Sequence, residues 1–174
     1  MNHMKLLSAF FLLSIGSYAA QSPDVTASPE SLVATVTTYL NTGRLSEAID
    51  LFHPEATSRL QKMAVHIAKT PRSPAESEQF LAMFGTSDIS ELESLPAKTV
   101  SLVMLKMAEA QKPAAMKLIM RAASYRSIGA IHDGNMAFVV VVCTINTEGT
   151  EKKLVISSAA KLDGSRWLYV GTEI

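Results

Sequence analysis

The stretch Met136-Ala137-Phe138-Val139-Val140-Val141-Val142-Cys143-Thr144-Ile145 decides the fold class of this chain. β-branched and aromatic side chains dominate it, and no proline or glycine interrupts it, which is the composition of a strand rather than a helix. Being apolar on both faces, it reads as a strand sandwiched between layers. Tight-turn signals stand on either side, at Asp133-Gly134-Asn135 and at Asn146 to Thr150, and a third falls at Asp163-Gly164. They predict four strands, Ser124 to His132, Met136 to Ile145, Glu151 to Leu162 and Arg166 to Glu173. Their short connections make neighbours antiparallel.

Upstream of Ser124 the rhythm differs. Ser28-Pro29-Glu30 offers an N-cap, a first-turn proline and a first-turn acid. Leu32, Val33, Val36, Tyr39 and Leu40 then recur at helical spacing until Gly43. A short helix capped by Ser46 presents Ile49 and Phe52, and a longer one runs from Pro54 to Lys69. Thr70-Pro71 and Ser73-Pro74 break the pattern before a helix through Phe80, Leu81 and Phe84 to Gly85. One or two further turns fall between Asp88 and Leu95. The helix opened by Pro96 carries the stripe Val100, Val103, Met104 and Met107 to Gln111. Met116 to Ala123 fits helix or strand equally well.

A run of helices followed by a run of strands predicts an α+β domain, its N-terminal helices packed on a curved four-stranded antiparallel meander sheet. The boundaries read as a signal peptide over 1–19, a polar lead over 20–27 and one domain over 28–174. Within that domain 28–112 is the helical layer and 113–174 mainly sheet. No repeat period is present. The signal reading rests on Lys5, the apolar run Leu6 to Ile15 and the small residues Ser17 and Ala19. That run is too short to span a bilayer, so cleavage after Ala19 leaves no stable membrane anchor. The expected location is periplasmic or secreted.

Cleavage leaves 15 basic against 16 acidic residues, a net charge of −1 with no long run of either sign. Nucleic acid and anionic lipid call for a concentrated basic face, so the balance argues against nucleic-acid binding. Cys143 is the single cysteine, so packing rather than an internal disulfide must hold the domain. It reads as a small buried hydrophobe.

The hairpin Asp133-Gly134-Asn135-Met136-Ala137-Phe138-Val139-Val140 and the final Leu162-Asp163-Gly164-Ser165-Arg166-Trp167-Leu168-Tyr169-Val170 together resemble the nuclear transport factor two-like superfamily, in particular its small exported bacterial members. The resemblance covers about the last third of the chain. It implies a cystatin-like roll: a curved sheet wrapped around helices as a cone, whose open end holds a small molecule or a partner. It implies no particular activity, since isomerases, dehydratases, transport factors and non-enzymes share that architecture.

A catalytic isomerase or dehydratase would need a carboxylate or histidine base inside the cone. Between Ser124 and Ile145 the only carboxylate is Asp133, in a turn. Tyr125 and His132, seven residues apart on one strand, alternate onto opposite faces and cannot cooperate. His53, His66 and His132 have no metal-ligand partner at ligand spacing, and no phosphate-cradling glycine loop occurs, so no metal or cofactor is assigned. Ser158-Ala159-Ala160-Lys161 has a Ser-x-x-Lys spacing, but on a strand its two functional side chains part.

The expected role is therefore a non-enzymatic binding module for a small apolar molecule or a protein partner. Its candidate lining residues are Tyr125, His132, Trp167, Met104 and Met107, with no catalytic residue assigned. An isomerase or dehydratase using a pocket histidine or carboxylate is the second reading. A homodimer formed through exposed apolar sheet surface is the third.

Overall fold

The computed structural model describes residues 24–71, 73–147 and 149–172, so the signal-peptide reading of 1–19 lies outside the described residues. Seven helices precede four strands among those residues: α1 Pro29–Thr42, α2 Leu45–Asp50, α3 Pro54–Lys69, α4 Pro74–Ala82, α5 Ile89–Ser94, α6 Ala97–Gln111 and α7 Ala114–Ala122. The strands are β1 Ser124–Asp133, β2 Met136–Thr147, β3 Thr150–Asp163 and β4 Arg166–Thr172. They form one antiparallel sheet in the order β1-β2-β3-β4.

Local chemistry sets the helix ends. The Ser28 side chain accepts from the Ser31 N–H at the start of α1, and Gly43 adopts φ 80° at its end, a left-handed geometry that costs glycine little. Ser73 and Asp88 cap α4 and α5 in the same way. One expectation is corrected here. Ser46 is not the cap of α2: that helix starts at Leu45 behind Arg44, which makes no side-chain cap bond, because Leu45 is drawn into the core. The segment that fitted helix or strand equally well is helix, since Ala114–Ala122 forms α7, and the rest of 113–174 is mainly sheet.

The face of β2 turned to the helices carries Ala137, Val139, Val141 and Cys143, all fully buried. Burial of Val139 and Val141 contributes about 1.5–3 kcal/mol each. Against them pack Leu32, Val33 and Val36 of α1, with Ile49 and Phe52 from α2 and its C-terminal end. Phe138, Val140 and Val142 point the other way and are half-buried. A second core joins α3, α4, α5 and α6 through Ala64, Ala68, Leu81, Leu92 and Val100. The two cores meet along α3 and α6, where the buried Ser101 hydroxyl donates to the Thr57 carbonyl at 3.2 Å.

Both edge strands carry a bulge. In β1 the register slips between Ser127 and Gly129, leaving Ile128 as the extra residue. In the β3–β4 pair Ala159 faces Gly171 while Ala160 faces Tyr169, leaving Val170 as the extra residue. Each bulge locally bends its strand and reverses which side chains face the helices. The free edge of β4 is closed by other parts of the chain: the Trp167 N–H donates to the Thr26 carbonyl at 2.9 Å and the Tyr169 N–H to the Leu51 carbonyl at 2.8 Å.

Candidate functional site

The bulge at Val170 builds the candidate site. Arg59 lies on the face of α3 that also carries Ala56, Leu60 and Met63, the i, i+3, i+4, i+7 pattern. Its guanidinium Nη2 donates to the Val170 carbonyl, which the bulge turns towards α3. Gly171 is next, at φ 148°, and a Cβ built there would stand 3.4 Å from that same nitrogen. The backbone geometry favours glycine, and a Cβ there would stand in contact with the arginine.

The cleft so formed measures about 370 Å³, near the lower end of the ~300–1,000 Å³ range of small-molecule sites. Its apolar wall consists of Leu40, Phe52, Leu60, Met63 and Leu105. Phe52 packs its ring on Tyr169, centroids 5.0 Å apart and tilted by 45°. At the polar end Tyr169 Oη and Thr172 Oγ1 share a hydrogen bond of 2.9 Å, and Ser158 Oγ lies 3.5 Å from the same threonine oxygen. Arg59 has five N–H donors, and one is committed to Val170. Beyond Arg59 a more open groove continues past Glu55, Ser58 and Lys62.

The acid of the adjoining groove is paired with a lysine. Glu55 accepts from Lys161, a bond that holds its carboxyl below the usual carboxylate range. His53 uses Nδ1 to accept from the Glu55 N–H at 3.2 Å, as the cap of α3. What the cleft offers a ligand is a hydrophobic wall, a fixed cation and two hydroxyls.

None of the five residues expected to line a site lies in this cleft. Tyr125 packs at the far end of the sheet, where its hydroxyl donates to the Met120 carbonyl at 3.1 Å and so ties α7 to β1. Burial, and then the neighbouring Cys143, push its phenol above the ordinary range. Trp167 is half-buried against the main core and meets His132 edge-on at 5.6 Å. His132 itself is exposed. Met104 packs on the second core, and Met107 is half-buried on α6.

One geometric expectation is overturned. Tyr125 pairs with Cys143 and His132 with Ala137, so both face the helices, because the extra residue Ile128 cancels the odd separation. They stand at opposite ends of the strand, roughly 20 Å apart, and do not meet. Ser158 and Lys161, by contrast, part as expected, since β3 sets Ser158 opposite Val139 and Lys161 opposite Met136.

Strand-to-helix bulge chemistry was the feature hidden from sequence reasoning: Arg59 sits unremarked among helix residues, and only Gly171, beside the last strand's aromatic run, could have signalled a close approach. Among the described residues, no three His, Cys, Asp or Glu side chains are placed to hold one metal ion, and no helix is long and apolar enough to cross a membrane. Comparisons with protein-family models, with curated proteins and with solved structures each returned no match.

Proposed function

We propose that this chain is an exported, non-enzymatic binding module. It takes a small, mainly apolar molecule with one anionic group into the cleft between α3 and β4. The observation that carries the reading is the Arg59 guanidinium, pinned by the Val170 carbonyl, in a cleft whose lining is otherwise mainly apolar. A charged donor on a hydrophobic wall is the pairing that a carboxylate on a hydrocarbon body satisfies. The resemblance of the final two hairpins to the nuclear transport factor two-like superfamily supports the same use, since in that fold the open end of the sheet receives the ligand. Export rests on the pattern of Lys5, Leu6 to Ile15 and Ala19.

A titration with medium-chain fatty acids, set beside the alcohols of equal length, tests the reading. The acids bind and the alcohols bind at least tenfold more weakly. Arg59→Gln brings the two series level, a loss of roughly 1.4 kcal/mol or more for the acids. Leu60→Trp fills the cleft and abolishes both. If no acid binds at millimolar concentration, or if Arg59→Gln binds acids as tightly as the parent chain does, the reading falls. Sequencing of the N-terminus after secretion in a bacterial host tests the export arm.

A further inference from the structure

The two edges of the sheet are treated differently. That of β4 is closed by Thr26 and Leu51, whereas among the described residues β1 makes no backbone hydrogen bond beyond β2. This ten-residue edge strand has no proline and no lysine, and the Ile128 bulge and Arg126 are the features that could hinder its pairing, both of which the register below accommodates. It also leaves Ile128 52% and Ile131 71% exposed.

We infer that β1 pairs antiparallel with β1 of a second copy about a two-fold axis through Ala130, joining two four-stranded sheets into one of eight strands. The charge pattern of the strand fixes this register. Arg126 and Asp133 both point away from the helices, opposite Val142 and Met136, and neither has an ion-pair partner among the described residues. Seven residues apart, roughly 20 Å along the strand, they cannot meet within one chain. Centred on Ala130, each Arg126 stands opposite Asp133 of the other copy, twice over.

The bulge makes that register consistent. Cross-strand partners in a symmetric antiparallel pair must share a face, and two residues seven apart share one here only because Ile128 is extra. Ile131 of each copy then covers the Ile128-Gly129 bulge of the other, and among the described residues nothing stands within 4 Å of a Cβ built at Gly129. On the helix side His132 of the second copy lies beside Ser127, whose buried hydroxyl has no hydrogen-bond partner among the described residues. An isologous pairing of this kind closes on itself and leaves no further edge to grow from.

Light scattering of the purified chain over a concentration series tests the inference, with amide hydrogen exchange as a second readout. The chain is expected to dimerise, and amides of residues 124–133 to gain protection as concentration rises. Arg126→Glu and Asp133→Arg each set like charges opposite one another twice and raise the dimer constant roughly tenfold. The combined Arg126→Glu/Asp133→Arg chain restores complementarity and returns the constant to near its starting value. Circular dichroism verifies that each variant is folded. A chain monomeric at millimolar concentration, a dimer indifferent to the single reversals, or a double variant no better than the singles would overturn it.

Discussion

Ser101 on α6 donates its hydroxyl to the carbonyl of Thr57 on α3 at 3.2 Å, with the serine fully buried. This bond crosses the seam between the two cores. Ser101→Ala removes it without opening a large hole and is expected to cost about 1 kcal/mol, a fall in Tm of about 2–4 °C for a domain of this size. Ser101→Leu, which overfills the seam, is expected to cost about 1–3 kcal/mol. Urea midpoints at constant m-value check both.

Leu32 is fully buried between α1 and the sheet, while Leu118 on α7 is 72% exposed. Leu32→Ala is expected to cost about 2–5 kcal/mol through lost burial and the cavity left behind. Leu118→Ala is expected to stay within about 0.5 kcal/mol of the parent. Equal effects in equilibrium unfolding would mean that α7 is covered in solution.

The Asp88 carboxylate caps α5, accepting from Ser90 Oγ at 2.7 Å and from the Glu91 N–H at 2.9 Å. These bonds, the Ser90 hydroxyl foremost, hold it below the ordinary carboxylate range. Its contribution is therefore complete above about pH 4, where the unfolded chain ionises, and is lost as pH falls through the lowered folded value. Asp88→Asn keeps the cap oxygen and removes the charge, so the acid limb of the stability curve becomes shallower. Urea midpoints from neutral to acid pH read this directly.

Tyr125 gives the opposite limb. Burial, then Cys143, raise its phenol in the folded state, so the unfolded chain loses that proton first, near pH 10. Stability is full below that pH and declines above it. Tyr125→Phe lacks the ionisable group, and its unfolding midpoint is expected to decline less between neutral and alkaline pH than that of the parent.

Gly171→Ala tests the joint between α3 and β4. At φ 148° an alanine is strained, and its Cβ would come into contact with Arg59 Nη2 at 3.4 Å. A cost of about 1–3 kcal/mol follows, together with a narrowed preference for acids over alcohols in the titration above.

Much of the fold was legible because its punctuation is local. Ser28, Ser73 and Asp88 announce helix starts, and Asp133-Gly134 and Asp163-Gly164 announce hairpins, by chemistry confined to three or four residues. Residues 114–122 resisted, since Met116-Lys117-Leu118-Ile119-Met120 satisfies both periods and its packing on α1 decides the matter. The bulges at Ile128 and Val170 were illegible altogether. Each is a one-residue slip against a distant strand, yet the first sets which side chains share a face with Tyr125 and the second creates the acceptor that holds Arg59. The candidate site was therefore expected on the sheet and at α6, when the arginine that anchors it belongs to α3.

Cys143, wholly enclosed beneath the helices and the only thiol in the chain, gives the molecule a built-in clock. A thiol-reactive dye can reach that sulfur only when the helical layer lifts from β2. The rate of labelling under native conditions thus counts opening events without any engineered probe, and a ligand that braces α3 against β4 would slow the count.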